Sequence, residues 1–167
     1  MIVILEGVDG SGKTTLCKQL VNEGYKQIAV IGGGEYEFYE WKRAKNDFVE
    51  DVAISDRSFI TDIAYRLFDF KPRRCMCLES MLEILRYDVR IVFLESGTEY
   101  EDSIARGEDN IITKFANTQI KRNYRVIADI LELFTDVPIM RYDWRTQDVS
   151  DVIKFINEGK EEDDGVR

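Results

Sequence analysis

Short apolar runs and helical stripes take turns along the chain. Ile2-Val3-Ile4-Leu5 is a continuous run, rich in β-branched residues and of strand length, which predicts a buried strand. After a glycine-rich stretch, Leu16, Leu20 and Val21 recur at helical spacing. Ile28-Ala29-Val30-Ile31 predicts a second strand that runs out into Gly32-Gly33-Gly34, and Glu35 to Phe48 predicts a helix bearing Phe38 and Trp41. Val52-Ala53-Ile54 predicts the third strand, Phe59, Ile63 and Leu67 the helix after it, and Phe70-Lys71-Pro72 a break. Leu78, Met81, Leu82 and Leu85 mark another helix, whose apolar residues belong to the core. Val89 to Leu94 predicts the fourth strand, followed by a helix to about Arg106 and a polar loop, Gly107-Glu108-Asp109-Asn110. Ala116, Ile120, Tyr124, Ile127, Leu131 and Phe134 then outline the longest amphipathic helix. Val137-Pro138-Ile139-Met140 predicts a fifth strand at a sheet edge, because proline has no N–H to donate to a ladder. Val149, Val152, Ile153 and Ile156 close the pattern with a helix. Such alternation implies an α/β fold, a parallel sheet with helices on both faces, and ligands beyond the carboxyl ends of the strands. There is no repeat or linker, so residues 1–158 read as one domain and the acidic 159–167 as a flexible tail.

The turn between the first strand and the first helix carries the chemistry. Gly7-Val8-Asp9-Gly10-Ser11-Gly12-Lys13-Thr14-Thr15 fits the phosphate-binding pattern G-x-x-x-x-G-K-[ST]. Glycines let the backbone curl until several N–H groups face one polyphosphate, and the helix start adds its positive end. Gly10, Ser11, Gly12, Lys13, Thr14 and Thr15 are therefore the expected ATP-binding residues, with Lys13 reaching the outer phosphates and Thr14 holding Mg²⁺. A second candidate lies at the end of the third strand, where Asp56-Arg57 stands at an edge suited to ligands and Arg57 offers a planar fork for phosphate.

Charge and composition narrow the classes. The 167 residues carry a net charge of −9, and the tail Lys160-Glu161-Glu162-Asp163-Asp164 accounts for −3 of it. An acidic balance argues against a general nucleic-acid binder, which needs a basic face. The chain opens on its first strand, with neither a basic leader nor an apolar stretch of spanning length, so the expectation is a cytoplasmic protein without membrane attachment. Cys17, Cys75 and Cys77 form no C-x-x-C, and histidine is absent. The cysteines are expected to be reduced, and His-dependent nucleophilic catalysis is excluded.

The motifs together resemble those of thymidylate kinases. Leu5-Glu6-Gly7-Val8-Asp9-Gly10-Ser11-Gly12-Lys13-Thr14-Thr15 is similar to that family's opening, Ile54-Ser55-Asp56-Arg57 with Ala64-Tyr65 to its Asp-Arg and Ala-Tyr pair, and Arg106 through Tyr124 to its lid and the helix behind it. The resemblance implies a three-layer P-loop kinase fold with a five-stranded parallel sheet in the order 2-3-1-4-5 and a small lid. It implies transfer of a γ-phosphoryl group from ATP, with Mg²⁺, to a deoxynucleoside monophosphate. By position, Asp9 would lie near the sugar 3′-hydroxyl and the metal shell, Asp56 would order Mg²⁺ and the acceptor, and Arg57 would grip the acceptor phosphate. Asp62 would face the pyrimidine edge and Tyr65 the sugar 2′ position, while Arg106 would close over the reaction. Lys13, Arg57 and Arg106 are then the catalytic candidates, and Thr14 and Asp56 the metal ligands.

Several departures bear on the acceptor. Ser58 stands where the family has Tyr or His, and Asp-Arg-Ser also resembles the motif of deoxynucleoside kinases. Gly32-Gly33-Gly34-Glu35 replaces an Arg-Glu-Pro-Gly-type segment, the region to Asp51 is short, and Asn110 stands where a second lid arginine is common. Phe38 is the candidate for stacking on the acceptor base, and Glu35 a candidate general base. A nucleoside or a DNA base as acceptor, or a non-catalytic ATP-binding module, stays open, as does a homodimer. A GTP-dependent switch is disfavoured, since no Asn-Lys-x-Asp stretch is present.

Overall fold

A computed structural model describes residues 1–28, 52–69, 88–105, 107 and 114–158. Its strands are β1 (Ile2–Glu6), β2 (Lys26–Ile28), β3 (Ala53–Asp56), β4 (Val89–Leu94) and β5 (Ile139–Tyr142). The helices among the described residues are α1 (Lys13–Asn22), α2 (Phe59–Asp69), α3 (Glu99–Ala105), α4 (Lys114–Phe134) and α5 (Val149–Asn157). All strand pairs are parallel, and the sheet runs β2-β3-β1-β4-β5, the order expected for a P-loop kinase fold. β1 sits at the centre, with Leu5 opposite Asp56 on one side and Glu6 opposite Phe93 on the other.

Strand geometry sorts the core into two layers. Successive side chains point to opposite faces, so Ile2 and Ile4 join Phe59, Ile60, Ala64, Ile120 and Tyr124 from α2 and α4. Val3 and Leu5 join Leu16, Cys17, Leu20, Val152 and Ile156 from α1 and α5. Every residue of β1 is buried, including Glu6, which parity places on the α2–α4 side. Cys17 is a free buried cysteine, its thiol pushed up to about 11 by burial and then by the charge of Asp56.

Three expectations shift. The second strand begins at Lys26, not Ile28, because exposed Lys26 and Gln27 pair with β3 on an edge strand without adding to an apolar run. The rest of the expected strand, Ala29 to Ile31, lies outside the described residues, as do the helix over Glu35–Phe48, the one over Leu78–Leu85, and Cys75 and Cys77. The fifth strand begins two residues later than expected: Pro138 precedes it and contributes its carbonyl to Ile91 N–H at 3.0 Å, while β5 does take the edge. In α4 the buried stripe ends at Leu131, and Phe134, the helix's last residue, is 75% exposed. Among the described residues no helix is long and apolar enough to cross a membrane.

The exit from β1 is closed to any side chain at Gly7. A Cβ there would lie 2.5 Å from the Leu94 carbonyl oxygen and 2.7 Å from Ser11 Oγ, with φ at +153°. Gly24, after α1, also has a positive φ, +98°, but open space around it. Gly7→Ala should therefore lower stability by roughly 2–4 kcal/mol through forced backbone displacement. Gly24→Ala should cost only the left-handed strain, about 1 kcal/mol. Urea midpoints of the two variants measure the difference, and equal losses would show that the Leu94 contact is soft.

Candidate active site

The glycine loop wraps its own lysine. Lys13 is buried, and its ammonium donates to the carbonyls of Gly7 and Val8, each at 2.7 Å, and to Ser11 Oγ at 3.3 Å. Burial, with repulsion from Arg57 behind it, lowers its pKa to about 8 against the pull of Asp9, Asp56 and Glu6. An anion in the loop would favour the charged form that burial opposes. Next to Lys13, Thr14 Oγ1 donates to Asp56 Oδ2 at 3.1 Å, joining the start of α1 to the end of β3. The other oxygen, Asp56 Oδ1, is buried and finds no hydrogen-bond partner among the described residues. Such an orphaned carboxylate oxygen beside a loop hydroxyl suits a magnesium ion, which takes one or two protein oxygens and completes its shell with phosphate and water. No group of three or more acidic, His or Cys side chains that could hold a metal occurs among the described residues, and a Mg²⁺ of this type needs none.

A second cluster lies across the strand ends. An Arg57 guanidinium nitrogen donates to Asp9 Oδ1, and Tyr65 OH donates to Asp9 Oδ2 at 2.9 Å. Burial opposes the Asp9 charge, but the Arg57 cation and its hydrogen bond outweigh it and hold the carboxyl below its usual range. Burial likewise works against Arg57, and Asp9 more than compensates, so the guanidinium stays fully charged. Burial and the charge of Asp9 push Tyr65 up to about 12. Arg57 is the one non-glycine residue with positive φ, 93°, among the described residues. Non-glycine residues adopt such a backbone at a cost of roughly 1–3 kcal/mol, mostly where function needs it.

Sequence reasoning passed over Glu6. Its side chain is wholly buried, accepting Ser58 Oγ–H on one oxygen and Thr61 Oγ1–H on the other, both at 2.6 Å. Tyr124 OH extends the chain by donating to Thr61 Oγ1 at 3.0 Å. Ser58 precedes α2 and also accepts Ile60 N–H at 3.1 Å, so it caps the helix while touching Glu6. Burial raises the Glu6 pKa to about 7 against these two hydrogen bonds and the nearby cations. The usable signal was parity, since Glu6 falls on the face of Ile2 and Ile4.

Beside the loop opens a cleft of about 540 Å³, walled by Gly10, Gly12 and Thr15 on one side and by Trp144, Gln147 and Val149 on the other. Its size suits a nucleoside. Trp144, in the turn after β5, is half-exposed, and its ring edge would lie 3.4 Å from a Cβ at Gly12. Asp143 N–H donates to Gln147 Oε1 at 2.8 Å, and the Asp148–Asp151 capping box fixes the start of α5 behind them. Trp144 had no motif to announce it. Ala105 also lines the cleft, which brings the chain preceding Arg106 to its mouth.

The structure thus brings together Lys13, Thr14 and Asp56 in one group and Asp9, Arg57 and Tyr65 in another, while Gly10, Gly12 and Thr15 border the cleft. Ser11 stays inside the loop, its oxygen on Lys13. Asp62 takes Arg66 Nε–H at 2.7 Å along α2. Phe38, Trp41, Glu35, Arg106 and Asn110 lie outside the described residues.

The chain matches no protein-family model and no curated protein. Among solved structures it is similar to the YorR protein of Bacillus subtilis, in complex with phosphorylated GDP, at a TM-score of 0.72 and 20% identity, covering 100% of this chain and 99% of that one. It is similar to deoxyadenosine kinase from M. mycoides, with products dCMP and dCDP bound, at 0.62 and 15%, covering 97% and 100%. It is also similar to thymidylate kinase from Ehrlichia chaffeensis, at 0.56 and 16%, covering 93% and 98%. The likeness is one of fold: the chain has the P-loop kinase architecture of the families that its motifs resemble.

Glu6 makes stability depend on pH. Its carboxyl binds a proton more tightly folded, near 7, than unfolded, near 4.5, so the stability it contributes is present below about 4.5 and is lost as pH rises through 7. Glu6→Gln has no proton to lose there. Relative to the natural chain it should gain roughly 2.5 kcal/mol between pH 5 and pH 8. Urea denaturation of both proteins at the two pH values gives the number, and a difference that does not change with pH would mean Glu6 is already ionised at pH 5.

Proposed function

We propose that the protein is an ATP- and Mg²⁺-dependent nucleotide kinase that phosphorylates a pyrimidine deoxynucleoside monophosphate. The observation that carries this reading is Arg57, held with positive φ at the carboxyl end of β3 beside the phosphate loop, with its cation toward Asp9. Lys13 exchanges its two carbonyl partners for the β- and γ-phosphates, and the N–H groups of the Gly10–Thr15 turn share the remaining charge. Thr14 and Asp56 are the residues that would hold Mg²⁺, which on binding neutralises phosphate charge. The ATP base enters the cleft and lies against Trp144. Arg57 holds the acceptor phosphate, and Asp9 with Tyr65 faces its sugar. An acceptor phosphate oxygen attacks the γ-phosphorus, the bond to the β-phosphate oxygen breaks, and ADP leaves. Arg106 closes over the transferring group.

A monophosphate suits this site because the chemistry then needs cations rather than a base. A nucleoside hydroxyl must lose a proton as it attacks, whereas a monophosphate is already mostly dianionic, its second pKa being about 6. Among the described carboxylates of the site, Asp9 is tied to Arg57 and held below its usual range, Glu6 is sealed under Ser58 and Thr61, and Asp56 is the proposed metal ligand. Asp9 is too weak a base for a sugar hydroxyl, and the buried Glu6 is out of its reach. The second reading, a deoxynucleoside kinase, is favoured by Asp56-Arg57-Ser58 and by the deoxyadenosine kinase of the same fold.

Steady-state assays with thymidine and its monophosphate, at equal ATP and Mg²⁺, separate the two readings. The monophosphate should have the higher kcat/KM, and Lys13→Ala should lose at least about a thousandfold in kcat while remaining folded. A preference for thymidine that Glu35→Gln abolishes would reverse the assignment. Tyr65→Ala should shrink the deoxy-over-ribo preference about tenfold or more, because a ring beside the 2′ position leaves an added hydroxyl neither room nor partner. If the ratio of kcat/KM values does not move, Tyr65 serves only to hold Asp9.

A further inference from the structure

We infer that Glu6 is a positioning residue for Arg57: by taking the Ser58 and Thr61 hydroxyls it pins the start of α2, and with it the left-handed backbone that aims the guanidinium across the strand ends. The functional half of this inference rests on the acceptor role proposed above.

An acid is an expensive choice for the last residue of a buried central strand. An apolar residue of the same size would fill the space without desolvation. Glu6 is retained with both oxygens occupied, by two hydroxyls at 2.6 Å, and neither partner belongs to its own strand. Both belong to the segment that follows Arg57. Ser58 is bonded to Glu6 on one side and caps α2 through Ile60 N–H on the other. Thr61 is tied to Glu6 and, through Tyr124 OH, to α4.

Arg57 is then clamped from both directions by β1. Its N–H donates to the Leu5 carbonyl at 3.0 Å, and the next residue is held by the Glu6 side chain. Its own carbonyl accepts Ser55 Oγ–H at 2.7 Å. A residue at φ 93° without the freedom of glycine keeps that conformation only where neighbours over-determine it. Without Glu6, Ser58 loses its fixed acceptor, the start of α2 can relax, and Arg57 can return to negative φ. The guanidinium would then leave Asp9.

Two readouts test this. The first needs no activity. The Arg57 guanidinium N–H signals, identified by their loss in Arg57→Lys, should be resolved in the natural protein by slowed exchange and should collapse to the solvent-averaged position in Glu6→Ala. Glu6→Gln should restore them, since its amide still meets both hydroxyls, accepting from one and donating to the other. Unchanged signals in a folded Glu6→Ala overturn the inference.

The second readout is a double-mutant cycle. Glu6→Ala should raise the thymidylate KM about tenfold, with the ATP KM within about twofold, and in an Arg57→Ala background it should add less than about twofold. Effects that multiply in the double variant would make Glu6 a merely structural acid and overturn the inference. Should Glu6→Ala not fold, Ser58→Ala cuts one anchor and goes through both measurements, with about a threefold rise in KM expected and the same outcomes overturning. If the signals collapse but acceptor kinetics do not respond, Glu6 positions Arg57 and the acceptor role proposed for Arg57 is what fails.

Discussion

The parallel pairing that sets Leu5 opposite Asp56 is the constraint on which the site depends. It brings the carboxyl ends of β1 and β3 side by side, so the glycine loop leaving one strand and Asp56-Arg57 leaving the other share one small volume. Thr14 can reach Asp56 only because of that register, and Arg57 N–H can reach the Leu5 carbonyl for the same reason. A one-residue slip would turn every side chain of β3 to the opposite face and separate the two groups. The apolar layers on either side hold the register: Ile54 has 0% exposure and packs with Val3 and Leu5.

Within that volume the charges are balanced against burial rather than against one another in simple pairs. Lys13 and Arg57 repel; Asp9, Asp56 and Glu6 pull on Lys13, and Asp9 pulls on Arg57. Asp9 is the acid most strongly committed to an ion, through Arg57, and it stays ionised. Glu6 has hydroxyl partners and no cation in contact, so burial prevails and it holds its proton up to about 7. Lys13 rests on carbonyl oxygens, which satisfy its donors without neutralising its charge. A polyanion could take Lys13 over from those carbonyls and supply the opposite charge they lack.

Much of this could be read in the chain because the informative residues follow local rules. The strand, glycine loop and helix around Lys13 are contiguous, the parallel sheet followed from the alternation of elements, and its strand order from the motif resemblance. The features that escaped are tertiary. Glu6 looks like a polar end to an apolar run until α2 and α4 are laid over it, when Ser58, Thr61 and Tyr124 become its partners. Nothing local marks Arg57 for positive φ: the Leu5 carbonyl on its N–H and the Glu6 side chain on Ser58 both come from another strand. Trp144 sits in a turn whose neighbours are polar, and only the approach of that turn to Gly12 gives it a role. Lys26 and Gln27 belong to a strand by pairing with β3 alone.

Four of the places where local rules fail lie together, at the carboxyl ends of β1 and β3 and the glycine loop beside them. A fully buried acid, a non-glycine left-handed residue, an orphaned carboxylate oxygen and a lysine with a depressed pKa are each unfavourable to folding. At the opposite ends of the strands Val89, Ala53 and Ile2 meet in ordinary parallel register and pack in one apolar layer, and the buried Arg90 next to them gives its guanidinium to the Phe155 carbonyl at 2.8 Å. Random drift would scatter such defects over the molecule, since each costs stability wherever it lies. Their grouping at the end where a parallel sheet accepts ligands marks that end as the candidate site, held in place by the core behind it. An anion at Lys13 would favour the charged form that burial opposes, and a metal at Asp56 would occupy the orphaned oxygen. Glu6 and the Arg57 backbone would gain no partner from either, so their strain is the part that serves geometry rather than binding.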